Sequence, residues 1–205
     1  SSYEEYIDAK KNIFKYQNKD GIVVLNYDND ITREAAKDAE GKVVFFSSKI
    51  KLDDGIVLDE NVIKQCDNKL RKHIANTDEL ILRGRHMYEN VCTALGATAT
   101  LVEPEKAIEV IKEFKGVEHR LEFVRELDGV KWYNDSIASS PTRTIAGPNS
   151  FEENIVLIAG GYDKHLDYRP LALPIIKKVN KLILLGQTSD KIYQAVKELL
   201  EVNDK

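Results

Sequence analysis

Hydrophobic and polar positions in the first part of the chain alternate between helix-like and strand-like spacing. Apolar side chains recur every three to four residues from Tyr3 to Phe14, which predicts a helix over residues 3–17. Short apolar runs predict strands at residues 22–26 and 43–47, with a helix at residues 30–39 between them. This strand–helix–strand order is typical of a parallel α/β layer.

The pattern changes after residue 50. Residues 51–82 contain short apolar runs broken by polar turns, which predict a small antiparallel addition. Two helices follow, the first at residues 86–95 and the second beginning at Pro104 and closed by Gly116. Because a hairpin comes directly after these helices, we predict a domain boundary between residues 116 and 117.

The hairpin begins the second domain. Asp128-Gly129 is a two-residue turn signal between alternating segments at residues 121–127 and 130–133. Strands at residues 154–159 and 181–185 then alternate with helices at residues 141–146, 170–179 and 189–201. We interpret this half as a small, doubly wound α/β domain whose strands end at Asp135, Ala159 and Leu185 on one edge.

Polar residues at these strand ends suggest an anion site. Asp135 could bind a ribose hydroxyl or a metal-bound water, and the helix start at Ser139 offers unpaired N–H groups to an anion. Gly160-Gly161 permits close backbone approach, with Lys164 nearby, and Arg120 suits bidentate phosphate contacts. Ordinary capping and turn chemistry is the alternative explanation for the same residues.

Lys10 lies in the middle of the apolar stripe of the first helix, beside Tyr3, Ile7 and Phe14. One interpretation is a lysine that extends past its neighbours into water. The other is a buried lysine with altered chemistry, because burial disfavours the charged form.

Composition narrows the class of protein. The 205 residues are 42% hydrophobic and 31% charged, as in an ordinary soluble globular protein. The net charge of −4 argues against a nucleic-acid binder. The apolar runs are strand-sized, so we expect no membrane segment and a cytoplasmic location. Cys66 and Cys92 match no metal or redox spacing, which predicts two free thiols.

Three motifs together resemble the Mur ligases. They are Gly-Val-Glu-His-Arg at residues 116–120, Asn-Asp-Ser-Ile-Ala-Ser-Ser-Pro-Thr-Arg at residues 134–143 and Gly-Gly-Tyr-Asp-Lys at residues 160–164. The similarity extends over essentially the whole chain and is strongest for the members that add D-glutamate. It implies a monomeric enzyme of peptidoglycan synthesis that uses ATP and Mg²⁺. Such an enzyme joins D-glutamate to UDP-N-acetylmuramoyl-L-alanine through an acyl phosphate.

The resemblance also implies roles for particular residues. Lys10 matches the family lysine that becomes carbamoylated, a catalytic group whose carbamate orients magnesium. Asn90, Arg120 and Asp135 match contacts to ATP. Substrate contacts are implied for the residues His119, Ser139 and Lys164, of which Lys164 is also matched to a catalytic role. The chain departs from the family pattern at Met87, where asparagine is expected, and at Ile137, where many members have lysine.

The 205 residues contain no Gly-x-x-Gly-Lys-Ser/Thr phosphate loop. From the resemblance, we expect residues 1–116 to be the second half of the central ATPase domain. Residues 117–205 would be most of the Rossmann-like C-terminal ligase domain. The other magnesium ligands would precede residue 1, and a further substrate loop would follow residue 205. We therefore expect no ligation by this chain alone.

Two other functions fit parts of the same pattern. A stand-alone α/β module could bind a nucleotide or an acidic amino acid without turnover. A dehydrogenase-like dinucleotide domain fits less well, because no third glycine opens a helix after Gly160-Gly161. Separate titrations of ATP and D-glutamate distinguish the binding module from the ligase fragment.

Overall fold

A computed structural model describes residues 2–68 and 70–203, and the chain divides into two compact units. Unit 1 comprises Ser1–Leu82 and His86–Phe114, and unit 2 comprises Arg83–Arg85 and Lys115–Lys205. The main change from one unit to the other, between residues 114 and 115, lies close to the boundary expected at 116/117. Among the described residues, three hydrophobic clusters belong to unit 1 and one belongs to unit 2.

Unit 1 contains five strands and four helices among its described residues. The strands are β1 (Ile22–Asn26), β2 (Lys42–Ser47), β3 (Gly55–Asp59), β4 (Val62–Asp67) and β5 (Leu70–Asn76). The helices are α1 (Tyr3–Lys15), α2 (Asp30–Ala35), α3 (Arg85–Thr98) and α4 (Pro104–Glu113), with α3 beginning in the short Arg83–Arg85 segment assigned to unit 2. Ser2 begins α1 with a capping box that includes Glu5, and Asn29 caps α2.

The strands of unit 1 form one mixed sheet in the order β1-β2-β3-β4-β5. The pairs β1–β2 and β2–β3 are parallel, whereas β3–β4 and β4–β5 are antiparallel. The expected parallel layer and antiparallel addition are therefore confirmed. They belong to a single sheet, because β3 pairs with strands of both kinds.

Helices cover both faces of this sheet. Successive strand residues point to opposite faces, so Val23 and Leu25 pack with Phe14 and Ala35, while Val24 packs against the cluster that contains α3. Helices α1 and α2 thus lie on one face. On the other face, α3 buries Met87, Val91, Cys92 and Leu95. Their spacing follows the 3.6-residue period of a helix, so they lie on one side of α3.

Helix α1 is docked less completely than its apolar stripe predicts. Phe14 is its one buried residue among those described, whereas Tyr3, Tyr6 and Ile13 are 63%, 57% and 82% exposed. The stripe is present in the sequence, but most of its side chains are exposed in the described residues.

Unit 2 contains four strands and three helices among its described residues. The strands are β6 (Glu122–Leu127), β7 (Val130–Asn134), β8 (Ile155–Gly161) and β9 (Val179–Gly186). The helices are α5 (Pro141–Ala146), α6 (Ala172–Lys178) and α7 (Ser189–Asn203). Asp128 and Gly129 have φ angles of 51° and 78°, the left-handed conformation that a type I′ hairpin requires at both positions. The hairpin prediction is confirmed.

The strands of unit 2 form two separate two-stranded sheets. Strands β6 and β7 pair antiparallel, and β8 and β9 pair parallel. The prediction that Asp135, Ala159 and Leu185 end three strands on one sheet edge is therefore wrong for the described residues. The physical reason is that a sequence pattern indicates strands but not which strands lie side by side, and β7 pairs with β6 while β8 pairs with β9.

The β8–β9 sheet is covered on one face by the described helices. Leu157, Ala159, Leu182 and Leu184 pack against the cluster formed by residues of α6, α7 and the turn before α6. The alternate residues of both strands are exposed, namely Val156, Ile158, Ile183 and Leu185. The α/β class is confirmed, while the described part of unit 2 has helices on only one side of this sheet.

Candidate functional site

Arg120 is at the centre of a tight loop whose neighbours adopt unusual backbone conformations. His119 and Leu121, on either side of it, have φ angles of 64° and 48°. Bulky residues rarely adopt this left-handed conformation, and such strain is concentrated at functional sites. The Arg120 side chain is exposed, so its guanidinium is available to an anionic ligand.

This loop is joined to the end of β7. The Leu121 N–H donates to Asp135 Oδ1 at 3.0 Å, and Asn134 Nδ2 lies 2.8 Å from His119 Nδ1. The His119 N–H donates to Glu122 Oε2 at 2.8 Å. The structure therefore brings together three of the predicted residues, His119, Arg120 and Asp135. Sequence reasoning missed the supporting roles of Asn134 and Glu122.

Asp135 has a structural contact as well as its predicted ligand role. One carboxylate oxygen accepts the Leu121 N–H, and the Gly147 backbone lies close to the other. A methyl group added at Gly147 would come within 3.2 Å of Asp135 Oδ2. Asp135 therefore lies in a confined position, where it links the Arg120 loop to the C-terminal end of α5.

Ser139 follows Asp135 in a short turn. The Ala138 N–H donates to the Asp135 carbonyl at 2.9 Å, and the Ser139 N–H donates to the Ile137 carbonyl at 2.9 Å. Ser139 and Ile137 are both exposed. Helix α5 begins at Pro141 and has only six residues, so few peptide dipoles add at its N-terminus. The helix dipole therefore contributes little to the predicted anion site, and the Ser139 hydroxyl is the stronger candidate for a ligand contact.

Lys164 belongs to a different loop, which follows β8. Gly160 and Gly161 have φ angles of 133° and 137°, and a Cβ atom on Gly160 would lie 1.8 Å from the Leu185 carbonyl oxygen. Only glycine fits there, because the backbones of β8 and β9 are in direct contact. The Lys164 side chain is exposed.

Asn90 is exposed on α3 in unit 1. Its Nδ2 lies 3.8 Å from the sulfur of Met87, which is only 4% exposed and packs in the core. Met87 thus contributes to packing at the position where the family pattern has asparagine.

A polar network that the sequence did not reveal connects α3 to the sheet. Asp28, which follows β1, accepts the Ser47 hydroxyl at 2.5 Å and the Ser48 N–H at 2.7 Å. The Ser48 hydroxyl donates to Glu89 Oε1 at 2.6 Å. These residues are up to 61 positions apart in sequence, from Asp28 to Glu89, so no local motif could have indicated the network.

Lys10 is exposed, and its Nζ lies 5.3 Å from the centroid of the Tyr6 ring. The interpretation of Lys10 as a buried lysine is therefore wrong for the described chain, because α1 docks through Phe14 and leaves the rest of its stripe open. Lys10 and Asn90 are on helices that pack against opposite faces of the unit 1 sheet.

The described residues do not by themselves fit a magnesium site. No group of three or more His, Cys, Asp or Glu side chains converges anywhere in residues 2–68 and 70–203. Mg²⁺ prefers oxygen ligands in octahedral geometry, and a carbamate at Lys10 would supply only part of such a set.

Two further expectations concern the thiols and the membrane. Cys66 and Cys92 are free and buried, as predicted. Burial raises the pKa of the Cys66 thiol and raises the pKa of Cys92 to about 12. Within the part of the chain that the structure describes, no helix is long and apolar enough to cross a membrane.

Comparison with known proteins adds independent evidence. Residues 1–98 match the Mur ligase middle domain. A protein of Acetivibrio thermocellus named UDP-N-acetylmuramoylalanine–D-glutamate ligase is 48% identical over 204 residues, which cover 100% of this chain and 44% of that protein. A protein of Clostridium beijerinckii with the same name is 48% identical over 191 residues, covering 93% and 41% of the two chains. The chain thus spans less than half the length of these relatives.

Solved structures support the fold. MurF from Acinetobacter baumannii superposes with a TM-score of 0.71 at 15% identity, covering 96% of this chain and 45% of that protein. The UDP-N-acetylmuramate-alanine ligase MurC from Thermotoga maritima gives a TM-score of 0.68 at 16% identity, covering 97% and 45%. With a matching middle domain, this fold and close relatives along its whole length, the chain belongs to the Mur ligase family.

Proposed function

We propose that the chain is part of an ATP-dependent ligase that adds D-glutamate to UDP-N-acetylmuramoyl-L-alanine in peptidoglycan synthesis. In this reaction the muramoyl-alanine carboxylate attacks the γ-phosphate, and ADP leaves. The amine of D-glutamate then attacks the resulting acyl phosphate, and phosphate leaves from the tetrahedral intermediate. Residues 1–116 would belong to the central ATP-binding domain, and residues 117–205 to the ligase domain.

Unit 2 would supply contacts to both ATP and the amino acid. Arg120 can stabilise negative charge on phosphate, because its guanidinium presents several donors in a fixed plane. Asp135 would accept hydrogen bonds from the ribose. Ser139 and His119 would contact the amino-acid substrate, and Lys164 would pair with a carboxylate of D-glutamate. Positioning and charge stabilisation of this kind supply most of the catalysis in phosphoryl transfer.

Unit 1 would contribute Asn90 to the ATP site and Lys10 to a magnesium site. A carbamate on Lys10 would convert its cation into an anion that resembles a carboxylate, and bound magnesium would neutralise phosphate charge. Growth in ¹³C-bicarbonate should give a carbonyl NMR resonance that Lys10→Arg abolishes. The absence of that resonance from both proteins would reject the carbamate in this chain.

The observation that carries the proposal is that a strained loop brings His119, Arg120 and Asp135 together. Backbone strain at His119 and Leu121 is retained in a loop that is closed on the Asp135 carboxylate. The identity of 48% to proteins named as D-glutamate ligases supports the choice of amino acid.

A chimera tests the function directly. The matching segment of the A. thermocellus relative is replaced with this chain, and D-glutamate-dependent phosphate release is measured with UDP-N-acetylmuramoyl-L-alanine and ATP. We expect activity, and a fall of about 10²-fold in kcat/KM for Arg120→Met and Lys164→Met. Arg125→Met and Lys131→Met, at exposed positions of the hairpin, are the matched controls. A folded chimera without D-glutamate-dependent release would reject the proposed function.

The isolated chain should bind ATP and D-glutamate weakly at most and should release no phosphate. This expectation follows from the lack of a phosphate loop within its 205 residues. D-Glutamate-dependent turnover by the isolated chain would contradict it, and tight binding without turnover would favour the non-catalytic binding module.

A further inference from the structure

The loop that contains Lys164 is tied to the start of α7 by its neighbour Asp163. The Asp163 N–H donates to Gln187 Oε1 at 3.1 Å, and Lys191 Nζ lies 2.5 Å from Asp163 Oδ2. Both partners lie more than 20 residues further along the chain, just before and within α7. Asp163 therefore connects the end of β8 to a separate structural element.

The other side of Lys164 is held by the same carboxylate. The His165 N–H donates to Asp163 Oδ1 at 2.9 Å, and His165 has a φ angle of 56°. Lys164 therefore lies between two residues whose backbone N–H groups both have defined acceptors. The backbone of Lys164 is therefore held on both sides by hydrogen-bonded neighbours.

The helix to which the loop is tied is itself firmly anchored. Ile192 and Ala195 of α7 are 2% and 7% exposed, and Thr188, just before the helix, is 3% exposed. Ile192 packs in the core of unit 2. An ion pair to Lys191 thus fixes the loop to a rigid support, since α7 is held by burial.

Charge also favours a free Lys164 ammonium. The Asp163 carboxylate has only 14% of its side-chain surface exposed and is already engaged by Lys191. Within residues 2–68 and 70–203, Lys164 forms no ion pair, although an acid is its immediate neighbour. Lys191 neutralises that acid, and the positive charge of Lys164 remains available to an external anion.

We propose that Asp163, Gln187 and Lys191 are positioning residues that hold Lys164 toward a carboxylate-bearing amino-acid substrate. The inference rests on the proposed role of Lys164 in binding D-glutamate. In this arrangement Lys191 never contacts the substrate. It acts by fixing Asp163, and a change at Lys191 alters binding through Lys164.

The test uses the chimera with the A. thermocellus relative and two NMR measurements. Hydrogen exchange of the Asp163 and His165 amides reports the tether, and the ¹³Cε shift of Lys164 during titration with D-glutamate reports ligand binding. Lys191→Met and Asp163→Asn should each speed exchange at these amides and weaken D-glutamate binding by about tenfold, the loss expected for one charge-assisted hydrogen bond. Lys191→Arg keeps the positive charge, so this variant should retain wild-type amide exchange and wild-type D-glutamate affinity.

Asp167→Asn is the matched control, because it removes the exposed Asp167–Arg169 ion pair from the same segment without touching the tether. A general loss of stability in Lys191→Met or Asp163→Asn would speed exchange at distant amides as well, and would overturn the assignment of the effect to the tether. Unchanged exchange and unchanged binding in Lys191→Met and Asp163→Asn would overturn the inference. Faster exchange with unchanged D-glutamate affinity would also overturn it, because the tether would then be structural only.

The wild-type titration separates this inference from the proposed function. If saturating D-glutamate leaves the Lys164 resonance of the wild-type chimera unmoved, the role of Lys164 in binding fails, and the positioning role fails with it. If the wild type binds and the variants bind equally well, only the positioning role fails.

Discussion

Gly160 is the residue at which backbone geometry allows the least freedom. Its φ of 133° is unfavourable for any L side chain, and its Cβ would meet the Leu185 carbonyl oxygen at 1.8 Å. We expect Gly160→Ala to lower the free energy of unfolding of unit 2 by about 3 kcal/mol or more, because β8 and β9 must separate to admit the methyl group. Urea unfolding followed by Trp132 fluorescence measures the change.

Gly129→Ala is the control for this substitution. Gly129 also has a positive φ, 78°, but a Cβ there meets nothing within 4 Å. Its expected cost is about 1 kcal/mol, the backbone penalty without the clash. Equal losses for the two variants would show that the contact between the β8 and β9 backbones is not what requires glycine at position 160.

The two cysteines should be unreactive in the folded chain. Cys92 is fully buried with a pKa raised to about 12, and Cys66 is 3% exposed with its pKa also raised. Thiolate is the reactive form, so an aromatic disulfide reagent at about pH 8 should label neither residue until urea unfolds the protein. Rapid labelling without denaturant would contradict the burial of these thiols.

At the scale of the element, the question for α1 is how much of its apolar stripe contributes to the stability of unit 1. Phe14→Ala should destabilise unit 1 by about 3 kcal/mol, because it leaves a cavity beside Val23 and Leu25. Ile13→Ala should change the free energy of unfolding by less than about 0.5 kcal/mol, since this side chain is 82% exposed. Circular dichroism during urea unfolding measures both, and similar losses would mean that α1 packs through a wider face.

For the molecule as a whole, four ion pairs contribute to the response to acid. Side-chain hydrogen bonds from Lys64, Lys112, Lys191 and Arg169 are the largest cause of the lowered pKa of their partners, Asp59, Glu79, Asp163 and Asp167. A carboxyl whose pKa is lower in the folded state stabilises the fold above its unfolded pKa. That stabilisation is lost as pH falls through the folded pKa.

The free energy of unfolding should therefore begin to fall below the ordinary pKa values of 4.5 for Glu and 3.8 for Asp. Lys112→Met should remove the part that Glu79 contributes, so the variant should be less stable than wild type near neutrality. The difference should disappear once Glu79 is protonated in both proteins. Urea unfolding at several pH values and constant ionic strength measures this difference, and Lys19→Met, at an exposed turn residue, should show no such pH-dependent loss.

Local patterns in the sequence were sufficient for most individual elements. The β1 strand, the Asp128-Gly129 hairpin and the α5 helix all depend on interactions within a few residues, such as strand alternation, left-handed turn residues and proline at a helix start. The family resemblance likewise comes from short motifs whose residues are close together in the chain. The α/β class and the candidate residues could therefore be inferred from the order of amino acids alone.

Which residues meet was decided by the tertiary structure, because those contacts join distant parts of the chain. The hydrogen bond from Leu121 to Asp135, the pairing of Asp163 with Lys191 and the network around Ser48 have no sequence signal of their own. The exposure of Lys10 was also beyond the sequence, because periodicity shows that a helix has an apolar stripe but not what packs against it. The sequence by itself determined the local conformation and the chemical groups, and the tertiary structure decided their partners, because partnership depends on packing across the fold.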